Sequence, residues 1–327
     1  LILLEWRYFW LLTQVNLLLD NTFLFLEVIN NMSMLEKSER ACLFCNSTDM
    51  EVIFSYDKPD KYEVAVGVVQ ERYFRSWVKC TNCNFHYSIY SRDSKILDSK
   101  ILDSKILDSI YLTEYRSGES DWRNSSVEDV FYYVKDLPKK ESETSYRVEW
   151  IKNHIDQAWN GNWVKKTNTK LHRLLDVGGA TGIFAYEFQD SNWKSHVIDP
   201  DENGKFIQDK LNIPFFQKMY NPNFTDIKFN LISLVFVLEH VMDPVALLRN
   251  LRCNLEKNSF LYVEVPDEAA FQLKSPKDDI FNSCHLWMFG PQTLLPMLDG
   301  CGYEVLSMNR TQTRRGHYSL MVLAGKK

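Results

Sequence analysis

From residue 171 onward, short apolar runs alternate with stretches of helical spacing. Leu174-Leu175 closes the first run and leads into Asp176 and a glycine-rich turn. Beyond the turn, Ile183, Phe184 and Phe188 fall on one helical face, with Trp193 in register should the helix run on. His196–Asp199 is a second apolar run ending in an acid. Phe229–Leu238 is a third and Phe260–Val265 a fourth, closed by Pro266-Asp267. Val245–Leu255 and Pro291–Asp299 have helical spacing, and strand patterns start at Gly302 and cover Tyr318–Ala324. Buried strands alternating with helices predict an open α/β sheet.

The chain before residue 166 is patterned differently. Val64–Val69 and Tyr73–Val78 read as strands, and Ser142–Trp159 carries a helical apolar face within an aromatic-rich segment, 111–165. Residues 94–108 repeat SKILD three times. A five-residue period turns successive Ile-Leu pairs by about 140° around a helix and alternates faces on a strand, so it builds no continuous apolar face. The segment 91–110 is read as a linker without chemistry. Residues 1–31 are rich in Leu and Phe, but Glu5, Arg7, Asp20 and Glu27 interrupt them. The uncharged run Tyr8–Leu19 is too short to span a bilayer, and a basic start and cleavage site are lacking. That segment is expected to be an upstream extension of a reading frame starting at Met32 or Met34, and the protein to be cytoplasmic.

Composition narrows the class. Of the 327 residues 45% are hydrophobic and 25% charged, which argues against disorder. The net charge of −5 is wrong for a nucleic-acid binder, and so is the balance over 32–90, seven Lys and Arg against eight Asp and Glu.

Two patterns carry chemistry. The first is the turn D-x-G-x-x-x-G formed by Asp176, Gly178 and Gly182, with Gly179 inside it. Glycines there let a ligand approach the backbone beyond the carboxyl end of a strand. The G-x-G-x-x-G of dinucleotide sites and the G-K-[ST] of triphosphate loops are both absent. Asp199, about twenty residues further on, is placed to accept both hydroxyls of a ribose. The second pattern is Cys42-x-x-Cys45 with Cys80-x-x-Cys83. Two such knuckles predict one closed, structural, four-thiolate zinc site in a subdomain over 32–90. A redox reading needs a thioredoxin-like unit that is not there. Cys253, Cys284 and Cys301 have no pairing pattern and are expected to be buried apolar thiols.

The turn resembles the first motif of class I S-adenosylmethionine-dependent methyltransferases. The string LEHVMDPVALLRNLRCNLEKNSFLYVEVPD is similar to the same family's fourth and fifth strand region, with Lys257-Asn258-Ser259 replacing its usual glycine pair. The resemblance implies a Rossmann-like sheet over 166–327, with helices on both faces and a hairpin at its edge. It also implies a helical cover over 111–165 that brings Tyr111 and Tyr115 within reach of the pocket. Asp176, Gly178, Gly179, Gly182 and Asp199 would bind S-adenosylmethionine. Glu239 and His240, at the end of the third apolar run, are candidate catalytic groups, and His285 is a second candidate base. With the cysteine array, the chain resembles enzymes that C-methylate nucleotide-linked deoxysugars, with their C-terminal α/β domain expected to be missing. The expected acceptor is a small molecule or sugar. The rival reading is a zinc-containing scaffold with the same fold and no catalysis. That reading predicts loss of Asp176, Gly178 or Asp199, and all three are present.

Overall fold

The computed structural model describes residues 41–327 except 66, 69–72, 91–125, 167–169, 202–203 and 315. The N-terminal extension, the SKILD repeat, Tyr111 and Tyr115 lie outside the described residues.

The described strands form two sheets. The larger has seven, in the order β10-β11-β8-β7-β4-β5-β6. Strands β4 (His172–Val177), β5 (Trp193–Asp199), β6 (Phe215–Gln217), β7 (Phe229–Val235) and β8 (Leu255–Pro266) are parallel. β10 (Tyr303–Gln312) and β11 (Tyr318–Lys326) form an antiparallel hairpin on the β8 edge. This is the expected α/β architecture.

Period-two alternation sorts each strand between two cores. Leu174, Leu231, Phe260, Tyr262, Met321 and Leu323 pack with Val148, Ile151 and Ile155 of helix α3 (Glu143–Asn160) and with Phe184 and Phe188 of α4 (Ile183–Phe188). Leu175, Ile232, Leu261, Val263 and Val322 point the other way, onto Leu248 and Leu251 of α6 (Pro244–Asn254) and Leu294 and Leu298 of α8 (Pro291–Gly300). A fully buried parallel sheet needs such cover on both faces, because neither row of side chains tolerates water.

The helix after the glycine turn stops at Phe188, so Trp193 lies on β5 and not on its face. The Asp190 carboxylate accepts the amides of Asn192 and Trp193 at 2.7 and 2.9 Å and turns the chain there. The third run also stops early, at Val235. Phe236 takes φ 54°, and a 3₁₀ turn over Leu238–His240 follows.

The smaller sheet is antiparallel, in the order β1 (Met50–Tyr56), β2 (Arg75–Cys80), β3 (His86–Tyr90), β9 (Trp287–Met288). Its last strand therefore comes from the far end of the chain. Lys61–Ala65 is a short helix, α1, and not the start of a strand. Asp60 Oδ1 accepts the Glu63 amide at 3.1 Å, while Glu63 Oε2 accepts the Asp60 amide at 2.8 Å. That reciprocal cap outweighs the β-branched residues beside it. Glu63 is then buried under the hydroxyls of Tyr73 and Tyr90, at 2.7 and 2.8 Å.

Candidate functional site

The turn after β4 is glycine-dependent on two counts. Gly178 and Gly182 have φ 74° and 75°, in the left-handed region. A Cβ on Gly178 would come within 2.7 Å of Val237 Cγ2, and one on Gly182 within 2.9 Å of Ile207 Cγ1. The Gly178 amide donates to Ile198 O on β5 at 2.9 Å, and the Ala180 amide to Asp199 Oδ2 at 3.0 Å. The other oxygen of Asp199 accepts the Asp201 amide at 2.9 Å. Asp199 is thus brought against the turn, its carboxylate engaged by backbone.

Above the carboxyl ends of β4 and β7 lies a cavity of about 830 Å³. Asp176 lines it from the end of β4, Gly178, Gly179 and Thr181 from the turn, Val235 from the end of β7 and Phe236 from just beyond it. Tyr133, Val134 and Leu137 line it from helix α2 (Val127–Lys135) and the residues that follow it. Thr144 and Arg147 of α3 complete the wall. Asp199, Gly182, Glu239, His240 and His285 are not among its lining residues. Asp176 is 2% exposed. Burial pushes its carboxyl up to about 7, against the Ser233 hydroxyl that donates to it at 2.7 Å.

One lining residue was not foreseen. Arg147 forms a buried two-pronged ion pair with Glu264: its Nη2 donates to Oε1 at 2.9 Å and its Nε donates to Oε2. Glu264 also accepts the hydroxyls of Tyr262 and Ser319 at 2.6 and 3.1 Å. Burial works to raise the Glu264 carboxyl, but the Arg147 charge and these donors bring it below the usual range. The signal available in the sequence was a lone acid inside the apolar run FLYVEV.

Glu239, His240 and His285 do come together. Their ligand atoms lie within 4.8 Å of one another and the two imidazole centroids are 4.8 Å apart. The 3₁₀ turn carries the first two. The loop bearing His285 is tied to that turn by the Leu286 amide, which donates to Glu239 O at 2.9 Å.

The four cysteines of the two knuckles also converge. Cys42 and Cys83 Sγ are 3.5 Å apart, as are Cys45 and Cys80 Sγ, and all four lie within 4.8 Å of one another. Zinc at about 2.3 Å from each sulfur requires sulfurs about 3.8 Å apart, so the donor set fits it. A disulfide requires about 2.05 Å, so no pair is bonded. Each knuckle closes the same way. Asn46 and Asn84, next after the second cysteine, take φ 60° and 61° and donate their amides to Cys42 O and Cys80 O at 2.8 and 2.9 Å. The repeated C-x-x-C-N was visible in the sequence. Of the remaining thiols, Cys284 and Cys301 are buried as expected, but Cys253 is exposed near the end of α6.

The chain belongs to the methyltransferase domain family, whose sequence profile matches residues 130–308. That span includes the glycine turn, most of the cavity wall and the Glu239–His240–His285 cluster. No curated protein matches the sequence. Among solved structures, it is similar to magnesium protoporphyrin IX methyltransferase from Synechocystis PCC 6803 with bound SAH. The match has 13% identity and TM-score 0.43, over 72% of this chain and 100% of that one. It is also similar to 1,6-didemethyltoxoflavin-N1-methyltransferase of Burkholderia thailandensis, at 12% identity and TM-score 0.42, over 61% and 84%. The N-methyltransferase NodS of Bradyrhizobium japonicum WM9 matches at 12% identity and TM-score 0.41, over 62% and 99%. No helix among the described residues is long and apolar enough to cross a membrane.

Proposed function

We propose that this methyltransferase takes its methyl group from S-adenosylmethionine and passes it to a small-molecule acceptor, with sugars and nucleotide-sugars the first candidates. The observation that supports the donor most is the glycine turn beneath a cavity of about 830 Å³, with a buried carboxylate in its wall. The donor carries a sulfonium, an ammonium and a ribose, but no phosphate. The turn matches this, having neither the lysine nor the glycine spacing of a phosphate cradle.

In this reading Gly178 and Gly179 pass under the ligand, and Gly182 lets the chain enter α4. Asp176 supplies negative charge toward the cationic end. Asp199 takes the ribose hydroxyls, sharing oxygens that now hold the Ala180 and Asp201 amides. The donor supplies an activated methyl with a good leaving group, so the protein's part is to align the acceptor and keep water out. For a hydroxyl or enolisable carbon a proton must also leave, and the Glu239–His240–His285 cluster is the candidate acceptor for it. Cys42, Cys45, Cys80 and Cys83 would hold a structural zinc that stiffens the smaller sheet.

The test is transfer from methyl-labelled S-adenosylmethionine into a fractionated extract supplemented with nucleotide-sugars. Label in the small-molecule fraction, lost with Asp199→Ala, is expected. Label confined to protein or nucleic acid would contradict the acceptor class.

A further inference from the structure

The two imidazoles of the Glu239–His240–His285 cluster take their orientation from one short segment. His285 Nδ1 is 2.7 Å from Ile280 O, and His240 Nδ1 is 2.8 Å from Cys284 O. A carbonyl oxygen only accepts, so in each neutral ring the proton sits on Nδ1, and Nε2 is the nitrogen that can take one up. Which nitrogen is basic decides where a proton acceptor points, and the partner of the other nitrogen sets it. Both partners here are backbone oxygens of residues 280–284. That stretch is a 3₁₀ turn, Asp279–Phe281, and the loop after it, so it has no strand or long helix to keep its path.

The path is kept from the smaller sheet. Asp60 Oδ2 accepts the Ser283 amide at 2.6 Å, and its Oδ1 accepts the Ser283 hydroxyl at 2.8 Å. Phe281 O accepts Arg75 Nη1 at 3.1 Å and Trp77 Nε1 at 3.3 Å. On the other side of His285, the Ser88 amide of β3 donates to Leu286 O at 3.0 Å. Arg75 is 2% exposed, and its charge is answered by Asp60 Oδ2 at 3.7 Å and Glu63 Oε1 at 3.8 Å. A buried ion pair is a poor source of stability, since well-packed apolar side chains do as well in its place, so its use lies in fixing a geometry. Arg75 and Trp77 share β2 with Cys80, so the strand that grips the loop ends in one of the four converging cysteines.

We infer that Asp60 and Arg75 are positioning residues for the proton acceptors. They fix the course of residues 280–284, and through two carbonyls of that segment they fix the tautomers of His240 and His285. The smaller sheet is then a working part of the transfer site, because it decides which nitrogen of each ring is basic. The bearing of this on transfer rests on the proton-acceptor reading above; the tautomers themselves do not. Asp60 can be probed selectively because its oxygens divide their work. Oδ1 accepts the Tyr62 and Glu63 amides that open α1, at 3.0 and 3.1 Å, while Oδ2 takes the Ser283 amide and faces Arg75.

The experiment records long-range proton–nitrogen correlation spectra of the ¹⁵N-labelled full chain at alkaline pH, with the two rings assigned from His240→Gln and His285→Gln. Wild type should show both rings as single Nδ1–H tautomers. Asp60→Asn offers one oxygen where the carboxylate offers two. With that oxygen on the α1 amides, it turns a donor toward the Ser283 amide and Arg75. Both rings should then lose the single-tautomer signature, while zinc content and affinity for S-adenosylmethionine stay as in wild type. Wild-type rings in the other tautomer, or an Asp60→Asn protein that keeps the wild-type signature, would overturn the proposal. If Asp60→Asn melts early or sheds zinc, the double variant Trp77→Phe, Ser283→Ala takes its place. It removes two bonds to the loop without stranding a charge, and unchanged ring signatures in it would likewise overturn the proposal. A wild type with both Nδ1–H rings that ignores S-adenosylmethionine would count against the donor reading and support this one.

Discussion

Asp176→Asn should make the ligand-free protein more stable at neutral pH while weakening cofactor binding. The wild-type carboxyl is raised from its ordinary 3.8 to about 7, chiefly by burial. The Ser233 hydroxyl pulls it down, Asp199 pushes it up, and Arg147 pulls it down again. Between those two values the folded protein holds a proton that the unfolded chain has released. The contribution to stability is therefore greatest on the acid side. It falls as pH climbs from about 4 to about 7 and is flat above that. The span is about three units at 1.36 kcal/mol each, or about 4 kcal/mol as an upper bound. Asparagine keeps an oxygen for the Ser233 hydroxyl and never acquires the charge. Urea unfolding of both proteins across that range isolates the group, because other carboxylates titrate alike in both and cancel. The two should be nearly equal near pH 4, and the variant should lead by up to about 4 kcal/mol near pH 8. A difference that does not change with pH, or a variant weaker near pH 8, would refute the reasoning. If Asp176 answers the ligand's positive charge, wild-type affinity should rise with pH through about 7 and the variant's should not.

Further substitutions probe the frame of the site. Gly182→Ala forces a left-handed alanine against Ile207 and should cost about 2–4 kcal/mol in urea unfolding and abolish cofactor binding. Gly300→Ala, which meets nothing within 4 Å, is the neutral control. Arg147→Met strands Glu264 in the core and should cost about 3–5 kcal/mol, most of it recovered by the double change with Glu264→Leu. A single variant as stable as wild type would show that the pair is solvated. Cys80→Ser should release zinc, measured by elemental analysis, and open the smaller sheet to proteolysis; a metal-free wild type would remove that account.

Much of the larger sheet was legible because its strands are buried on both faces and read as continuous apolar runs, each ending in an acid or a turn. The glycine turn was legible because its spacing answers a backbone demand, φ near 75°, rather than a packing preference. Long-range pairing was not. Nothing in Trp287-Met288 announces that it will complete a sheet begun at Met50, since a two-residue strand has no period to read. Val64 was misread because β-branched residues suggest a strand, while the Asp60–Glu63 cap that decides the matter is a pair of polar side chains. Arg147 and Glu264 are separated by more than a hundred residues and become partners only once α3 lies across the sheet. Glu239 and His240 were visible as a polar pair ending an apolar run. The tautomers of His240 and His285 depend on carbonyls of a loop whose path only the fold defines.

The central claim is that the turn after β4 holds S-adenosylmethionine. Calorimetric titration of the purified chain with that cofactor, with NADH as control, tests it most directly. Saturable binding at about one ligand per chain, silent with NADH and lost with Gly182→Ala, is the predicted result. Absence of heat from a folded, zinc-containing wild type that binds neither ligand would contradict it.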